Sequence, residues 1–363
     1  MEFGITFPPY LDAWKDAQIA EDNGFTKSWF YDSQMLYSEV YMCMTLVAEH
    51  TSTLTLGTYV AVPSNRIAPV SAQAIGTLNQ LAPGRVIFGI GVGFTARHTM
   101  GLPPCKLSHM EEHVEQVRSL LAGEECLFRD GERERHVRFL HRDKGYVNNT
   151  DPVPIHIASN GPKSLELTGR AGDGWITLVQ PPDSFRYGLD AIRAGAKKAN
   201  RTLPDTFHTS ALTTACILKN GESYTSPRVI RRVGPFCMFN LHAFWENSFC
   251  KTGDTHSEDV PQDLIELYQD YEKSYLPQSK VGKERFYQQV HEGHLVYLRP
   301  GEENYFNDSL IKMSSLTGSA TEVIDRLKAM EEAGLDSIAI QVVEKENARE
   351  MIEEFSKHVI AKY

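Results

Sequence analysis

The stretch PIHIASNGPKSLELTGRAGDG, residues 154–174, decides how the chain is read. Ile155 to Ala158 is a short apolar run of the kind that forms a buried parallel strand. Ser159-Asn160-Gly161-Pro162 turns the chain, and Leu165, Leu167 and Ala171 follow on one helical face. Asn160 or Gly161 can cap that helix, and Pro162 suits its first turn, where the missing N–H has no intrahelical partner. The free N–H groups at such a helix start face whatever lies beyond the strand's C-terminal edge, and they favour a phosphate or other anion. A plain strand–turn–helix connection with no ligand fits the same residues.

The same alternation runs through both flanks. Upstream, strands are expected over 2–7, 28–31, 54–62 and 85–90, and helices over 11–22, 38–50, 70–81 and 108–121. Residues 123–150 break the rhythm, with 126–129 and 137–141 flanking Asp130-Gly131 as a β-hairpin. Downstream come a strand over 175–180, a helix over 183–200 and a long seventh strand over 207–218. Residues 220–300 are rich in aromatics and histidine and read as several helices and a long loop. They serve either an apolar or planar substrate or the core of the insertion itself. A helix over 321–333, a strand over 336–343 and a helix over 348–360 close the chain. Eight strand–helix units make the expected fold α/β, a (β/α)₈ TIM barrel formed by one domain over 1–363, with insertions at about 123–150 and 220–300. A doubly wound open sheet is the rival that pattern alone leaves standing.

Composition limits the partners. The 363 residues suffice for a large core, and 41% hydrophobic with 23% charged residues is ordinary for a globular protein. The balance of 37 basic against 47 acidic residues, net −10, argues against nucleic acid or an acidic membrane surface. Six scattered cysteines without a C-x-x-C pair point to a reduced, cytoplasmic protein with no structural zinc. No signal peptide or membrane-spanning run is read.

Local motifs alone define a rim without chemistry. Asp32-Ser33-Gln34, Pro63-Ser64-Asn65-Arg66, Gly91-Val92-Gly93 and Ser159-Asn160-Gly161-Pro162 all follow strands. In a barrel those exits carry the ligand site. Gly89, Gly91 and Gly93 give G-x-G-x-G after the fourth strand, which fails the dinucleotide fingerprint in spacing and in place. His291-Glu292-Gly293-His294 puts two histidines three apart rather than four, so no metal is expected there; a polar, pocket-lining role is the alternative, and solvent exposure is the expectation. His109 and His113, beside Glu111, Glu112 and Glu115, read as a solvated face. No G-x-S-x-G elbow is present.

Taken in order, several of these stretches resemble the bacterial luciferase-like monooxygenase superfamily. The likeness is carried by Leu56-Gly57-Thr58 through Pro63, Arg66 and Pro69, then Ala72-Gln73 through Leu78, and Pro83-Gly84-Arg85 with Gly89 to Gly93. Thr317-Gly318 and Ala333 to Asp336 add to it. Residues 158–174 are most similar to the branch containing methylenetetrahydromethanopterin reductase.

The resemblance implies a barrel holding FMN or the deazaflavin coenzyme F420. Its ring would be backed by a non-proline cis bond, here Tyr59–Val60, and lined by Asp32, Gly91, Val92 and Gly93. Ala158, Ser159, Asn160 and Gly161 would meet the ribityl phosphate side. Several deazaflavin-dependent relatives carry a histidine after the aspartate at the second-strand exit. Here that residue is Ser33, so the acid role does not carry over. The expectation is therefore a monooxygenase using reduced FMN, supplied by a separate flavin reductase, and O₂ on a small organic substrate. The alternatives are F420-dependent hydride transfer to an imine or carbonyl, and a non-catalytic flavin-binding barrel. Ser33, His242, His291 and His294 are the catalytic candidates, the histidines lying on a possible lid over 220–300. Relatives are often homodimers, and the helices over 38–50 and 70–81 are the surface where pairing is expected.

Overall fold

The computed structural model describes residues 1–252, 260–276 and 281–363. Eight strands close into a barrel in chain order: β1 (Glu2–Phe7), β2 (Lys27–Phe30), β3 (Thr55–Thr58), β4 (Val86–Ile90), β5 (Ile155–Ala158), β6 (Gly174–Leu178), β7 (His208–Thr213) and β8 (Ser337–Gln341). Neighbours from β1 to β7 pair in parallel, so each connection is a helical crossover. The open-sheet alternative is thereby excluded. Every residue of β2 and β4 is buried, which is why these strands read as short runs with little in–out alternation.

One large ring fills much of the interior beside β2. Trp29 pairs across to Thr6 on β1 and Gly57 on β3, and it is almost fully buried. A Cβ at Gly57 would stand 2.2 Å from the Trp29 ring, so the indole fits only because that position carries none. Outside the barrel, Ala13, Ala17 and Ala20 form the buried face of the helix Ala13–Asp22. Leu11, expected within that helix, precedes it and is exposed.

Several boundaries differ from expectation for identifiable reasons. β3 ends at Thr58, and the next pairing is an isolated bridge from Ala61 to Ile90. The expected seventh strand is two strands. β7 stops at Thr213, and Ala215–Ile217 pairs instead with Leu316–Gly318 in a separate parallel sheet. Unbroken apolar and β-branched sequence hides such a change of partner. The hairpin is present, but its second strand is Arg133–Val137, opposite Cys126–Asp130, with Gly131 and Glu132 as the turn. Arg133-Glu134-Arg135-His136 has no apolar periodicity to reveal it. A short helix, Phe94–His98, directly follows the Gly91-Val92-Gly93 exit.

The chain divides into two compact units. The first holds Met1–Ala96, Pro103–Leu212 and Met330–Ala339. The second holds Arg97–Leu102, Thr213–Ala329 and Ile340–Tyr363, and is built on the helix Pro227–Thr252. Val229, Val233, Cys237, Leu241 and Trp245 recur every fourth residue along it and pack with Tyr268, Tyr271, Val290 and Tyr305. Trp245, Tyr268 and Tyr271 of the 220–300 segment therefore belong to a hydrophobic core within this unit. Residues 253–259 and 277–280 of that segment lie outside the described residues. No described helix is long and apolar enough to cross a membrane.

Gly57→Ala is expected to destabilise the protein by about 1–3 kcal/mol or more, as overpacked cores do. Denaturant unfolding checks this; a midpoint equal to that of the unsubstituted protein would contradict the packing account.

Candidate active site

The first unit gathers three strand exits around one glycine. Beyond β3 the Tyr59–Val60 peptide bond is cis, the bond that the resemblance singles out. Backbone bonds hold this corner on both sides. Tyr59 N donates to Phe30 O at 2.6 Å, Ala61 N to Gly89 O at 2.8 Å, and Gly91 N to Ala61 O at 3.0 Å. A Cβ at Gly91 would meet Val60 Cγ2 at 2.7 Å and the Ala158 Cβ at 3.2 Å. The ends of β3, β4 and β5 thus come together because residue 91 has no side chain. Val60 and Ala158 are each half-buried, so this meeting point presents a small apolar surface. Gly93 then takes a left-handed φ of +79° and leads into the helix Phe94–His98, while the Val92 carbonyl accepts from Cys105 N.

Beside that surface the helix Pro162–Ala171 begins, with Pro162 at its first position as expected. Gly161 is the cap residue, and its N–H donates to Ser164 Oγ at 3.2 Å. Asn160 does not cap the helix; its Oδ1 accepts from Thr177 Oγ1 at 2.7 Å. Asn160 and Gly161 are exposed at this helix start. Asn160 also lines a cavity of about 380 Å³ with Gln180, Asp183 and Tyr187.

The remaining expected contacts are committed elsewhere. The Tyr59 side chain lies inside the barrel, with its hydroxyl 3.0 Å from Ser210 Oγ and its ring edge-on to Trp29. Only its backbone reaches the exit. Ser159 is buried, bonded through Oγ to Thr168 Oγ1 and through its carbonyl to Trp175 Nε1. Asp32 is buried and accepts from Arg66 Nη1 at 2.8 Å, while Arg66 also pairs with Glu39. Burial pushes the Asp32 carboxyl up, and Arg66 opposes that shift. This pair ties the β2 and β3 exits together. Ser33 is half-buried in the following turn, its carbonyl accepting from Leu36 N.

The histidines read as exposed or lid-borne are buried in the second unit. His242 Nε2 lies 3.0 Å from Tyr271 Oη and 3.1 Å from Glu302 Oε1. Arg299 donates to the same carboxylate through Nε at 2.9 Å and to Tyr271 Oη at 2.9 Å. Burial would raise the Glu302 carboxyl, but His242 and Arg299 outweigh it and hold the group down to about 2. One helical turn past His242, Glu246 Oε1 lies 2.6 Å from His291 Nε2 and 3.5 Å from His98 Nδ1. His294 packs beside His291, their ring centres 5.2 Å apart. His113, expected on a solvated face, is also buried and lies 3.2 Å from Ser71 Oγ. Burial lowers it to about 4.

Glu246, Glu302, Arg299 and His98 were not singled out in the sequence. Arg299 and Glu302 pair at i, i+3, but His242, Tyr271, His98 and His291 reach this network from tens of residues away, and apart from that pair only the i, i+4 spacing of His242 and Glu246 marks a shared helix face.

Comparison with known proteins agrees with this architecture. The chain matches the family described as luciferase-like monooxygenase over residues 8–337, and it belongs to that family. It is 35% identical over 206 residues to 5,10-methylenetetrahydromethanopterin reductase of Methanolobus tindarius, covering 55% of this chain and 61% of that protein. It is 36% identical over 169 residues to F420-dependent glucose-6-phosphate dehydrogenase of Nakamurella multipartita, covering 44% and 48%. The chain thus spans less than two thirds of the length of the curated relatives it matches. Among solved structures it resembles the coenzyme F420 dependent tetrahydromethanopterin reductase of Methanopyrus kandleri, with a TM-score of 0.70, 22% identity, and 100% and 99% of the two chains covered.

The charged network of the second unit has a pH signature. Because the Glu302 carboxyl is lower in the folded protein than its ordinary 4.5, its stabilisation is present above that value and lost as pH falls towards 2. Arg299→Met leaves Glu302 buried without its cation, a change worth about 3–5 kcal/mol. Acid unfolding of this variant is expected to begin at higher pH, checked by circular dichroism. Unchanged stability and an unchanged acid limb would contradict the network.

Proposed function

We propose that this chain is a coenzyme F420-dependent oxidoreductase acting on an imine or carbonyl carbon of a small organic substrate without O₂. The observation that carries the reading is the apolar meeting point of Val60, Gly91 and Ala158 beside the exposed helix start at Asn160 and Gly161. Relatives more than 30% identical bear the names of F420-dependent dehydrogenases and of methylenetetrahydromethanopterin reductases. Those names favour hydride transfer over the reduced-FMN monooxygenase expected first.

The residues present fit such a coenzyme. Val60 and Ala158 would carry the flat ring on an apolar face, and Gly91 keeps that face free of a projecting side chain. The free N–H groups at the start of Pro162–Ala171 would take the anionic side chain of the coenzyme. Bound in its reduced form, a deazaflavin would supply a hydride and need no oxygen.

Ser33 bears on the substrate. A hydroxyl at this position is no acid at neutral pH, so it cannot replace a protonated histidine. A cationic imine carbon accepts hydride without an added proton, whereas a carbonyl oxygen requires one. The substrate class that best suits Ser33 is therefore an iminium.

The test is a titration of the purified protein with coenzyme F420 and, separately, with reduced FMN, followed by turnover with the reduced deazaflavin under strict anaerobiosis and with reduced FMN in air. Micromolar binding of the deazaflavin with oxygen-independent reduction of a cationic imine is expected. Binding of FMN alone with O₂ uptake would overturn the proposal in favour of the monooxygenase, and binding of neither would remove the coenzyme assignment.

A further inference from the structure

We propose that His98, Glu246 and His291 form a binding site for one divalent transition-metal ion of the zinc class. The three side chains come from separate elements of the second unit: the end of Phe94–His98, the helix Pro227–Thr252 and the end of Phe286–His291. Their exposures are 7%, 4% and 2%, and their donor atoms all lie within 4.8 Å of one another. Metal bonds of ~2.0–2.2 Å to imidazole nitrogen and carboxylate oxygen bridge nearly that span. Two nitrogens and one oxygen form a donor set that zinc and its neighbours favour, and three protein ligands leave a coordination position open.

Comparison with the adjacent network shows why an ion is the better occupant. Glu302 has Arg299 as a permanent cation, together with bonds to His242 and Tyr271. Glu246 is equally buried, yet among the described residues its ion pairs are with His98 and His291 alone. A carboxylate kept from water requires a compensating charge, and imidazole provides one only when protonated. The contact between Glu246 and His291 Nε2 also lacks the alignment of a hydrogen bond. The other nitrogen of His291 makes no hydrogen bond to the described residues. A divalent ion would supply the charge and take up the ring nitrogen's lone pair.

A second feature lies next to the cluster. Leu295 has a left-handed φ of +60°, rare for a branched residue, immediately after His294. Gln341 Nε2 donates to the Leu295 carbonyl at 2.7 Å and fixes this turn. The His294 ring, which precedes this turn, lies with its centre 5.2 Å from that of His291.

The site stands independently of the coenzyme reading, and its test uses metal alone. The full-length protein is freed of metal with a chelator and then titrated with Zn²⁺ by calorimetry. Bound metal is counted by mass spectrometry. Co²⁺ is added in parallel, because its visible absorption reports a nitrogen- and oxygen-bound, low-coordinate site. One ion per chain is expected, with the Co²⁺ bands present and stoichiometric binding lost in both Glu246→Gln and His98→Ala. Circular dichroism shows whether each variant is folded. Failure of the unsubstituted protein to retain Zn²⁺, or one bound ion that persists in a folded variant, would overturn the proposal. If neither variant folds, the absorption of the unsubstituted Co²⁺ form decides: bands of imidazole ligation support the site, and their absence refutes it.

Discussion

The candidate active site depends on how closely β3, β4 and β5 approach one another as they leave the barrel. With a side chain at residue 91, Val60 and Ala158 would have to part, since its first carbon already stands 2.7 Å from Val60 Cγ2. The backbone is bonded around that corner from Phe30, Gly89 and Ala61, so there is little freedom to accommodate the intrusion. The same constraint operates deeper in the barrel, where Trp29 occupies the volume that a larger residue at position 57 would take. Missing side chains thus set both the packing of the interior and the shape of its rim.

Around this corner the polar residues serve largely to hold the rim in place. Asp32 and Arg66 join the second and third exits, and Ser159 is bonded to Thr168 and Trp175. Tyr59 anchors the barrel interior through Ser210. A ligand at the rim would therefore meet an apolar surface, backbone groups and a helix start. That environment would suit a coenzyme whose own chemistry does the redox work.

Much of the architecture was legible from alternation alone. Seven of the strands and the crossover helices between them fall close to their expected places because short buried strands and amphipathic helices leave opposite periodicities. The seventh strand was not legible in full, since residues 215–217 remain as apolar after changing partner as 208–213 before it. The cis bond at Tyr59–Val60 came from family likeness; no local pattern marks it. The division of Asp32, Tyr59 and Ser159 from the exposed Asn160 and Gly161 was hidden for another reason. Which way a rim residue points depends on partners such as Ser210 and Thr177, far off in sequence. The histidines of 220–300 misled for the same reason, because burial beside Glu246 and Glu302 is a property of the folded second unit.

On the proposed function, the surface where Val60, Gly91 and Ala158 meet receives the deazaflavin ring. The most direct measurement is the affinity of Gly91→Ala, whose single added carbon parts Val60 from Ala158, for coenzyme F420 by fluorescence titration, alongside its circular dichroism spectrum. A folded protein is expected whose affinity falls by about tenfold or more, ~1.4 kcal/mol of binding free energy. A folded variant that binds the coenzyme as tightly as the unsubstituted chain would contradict it.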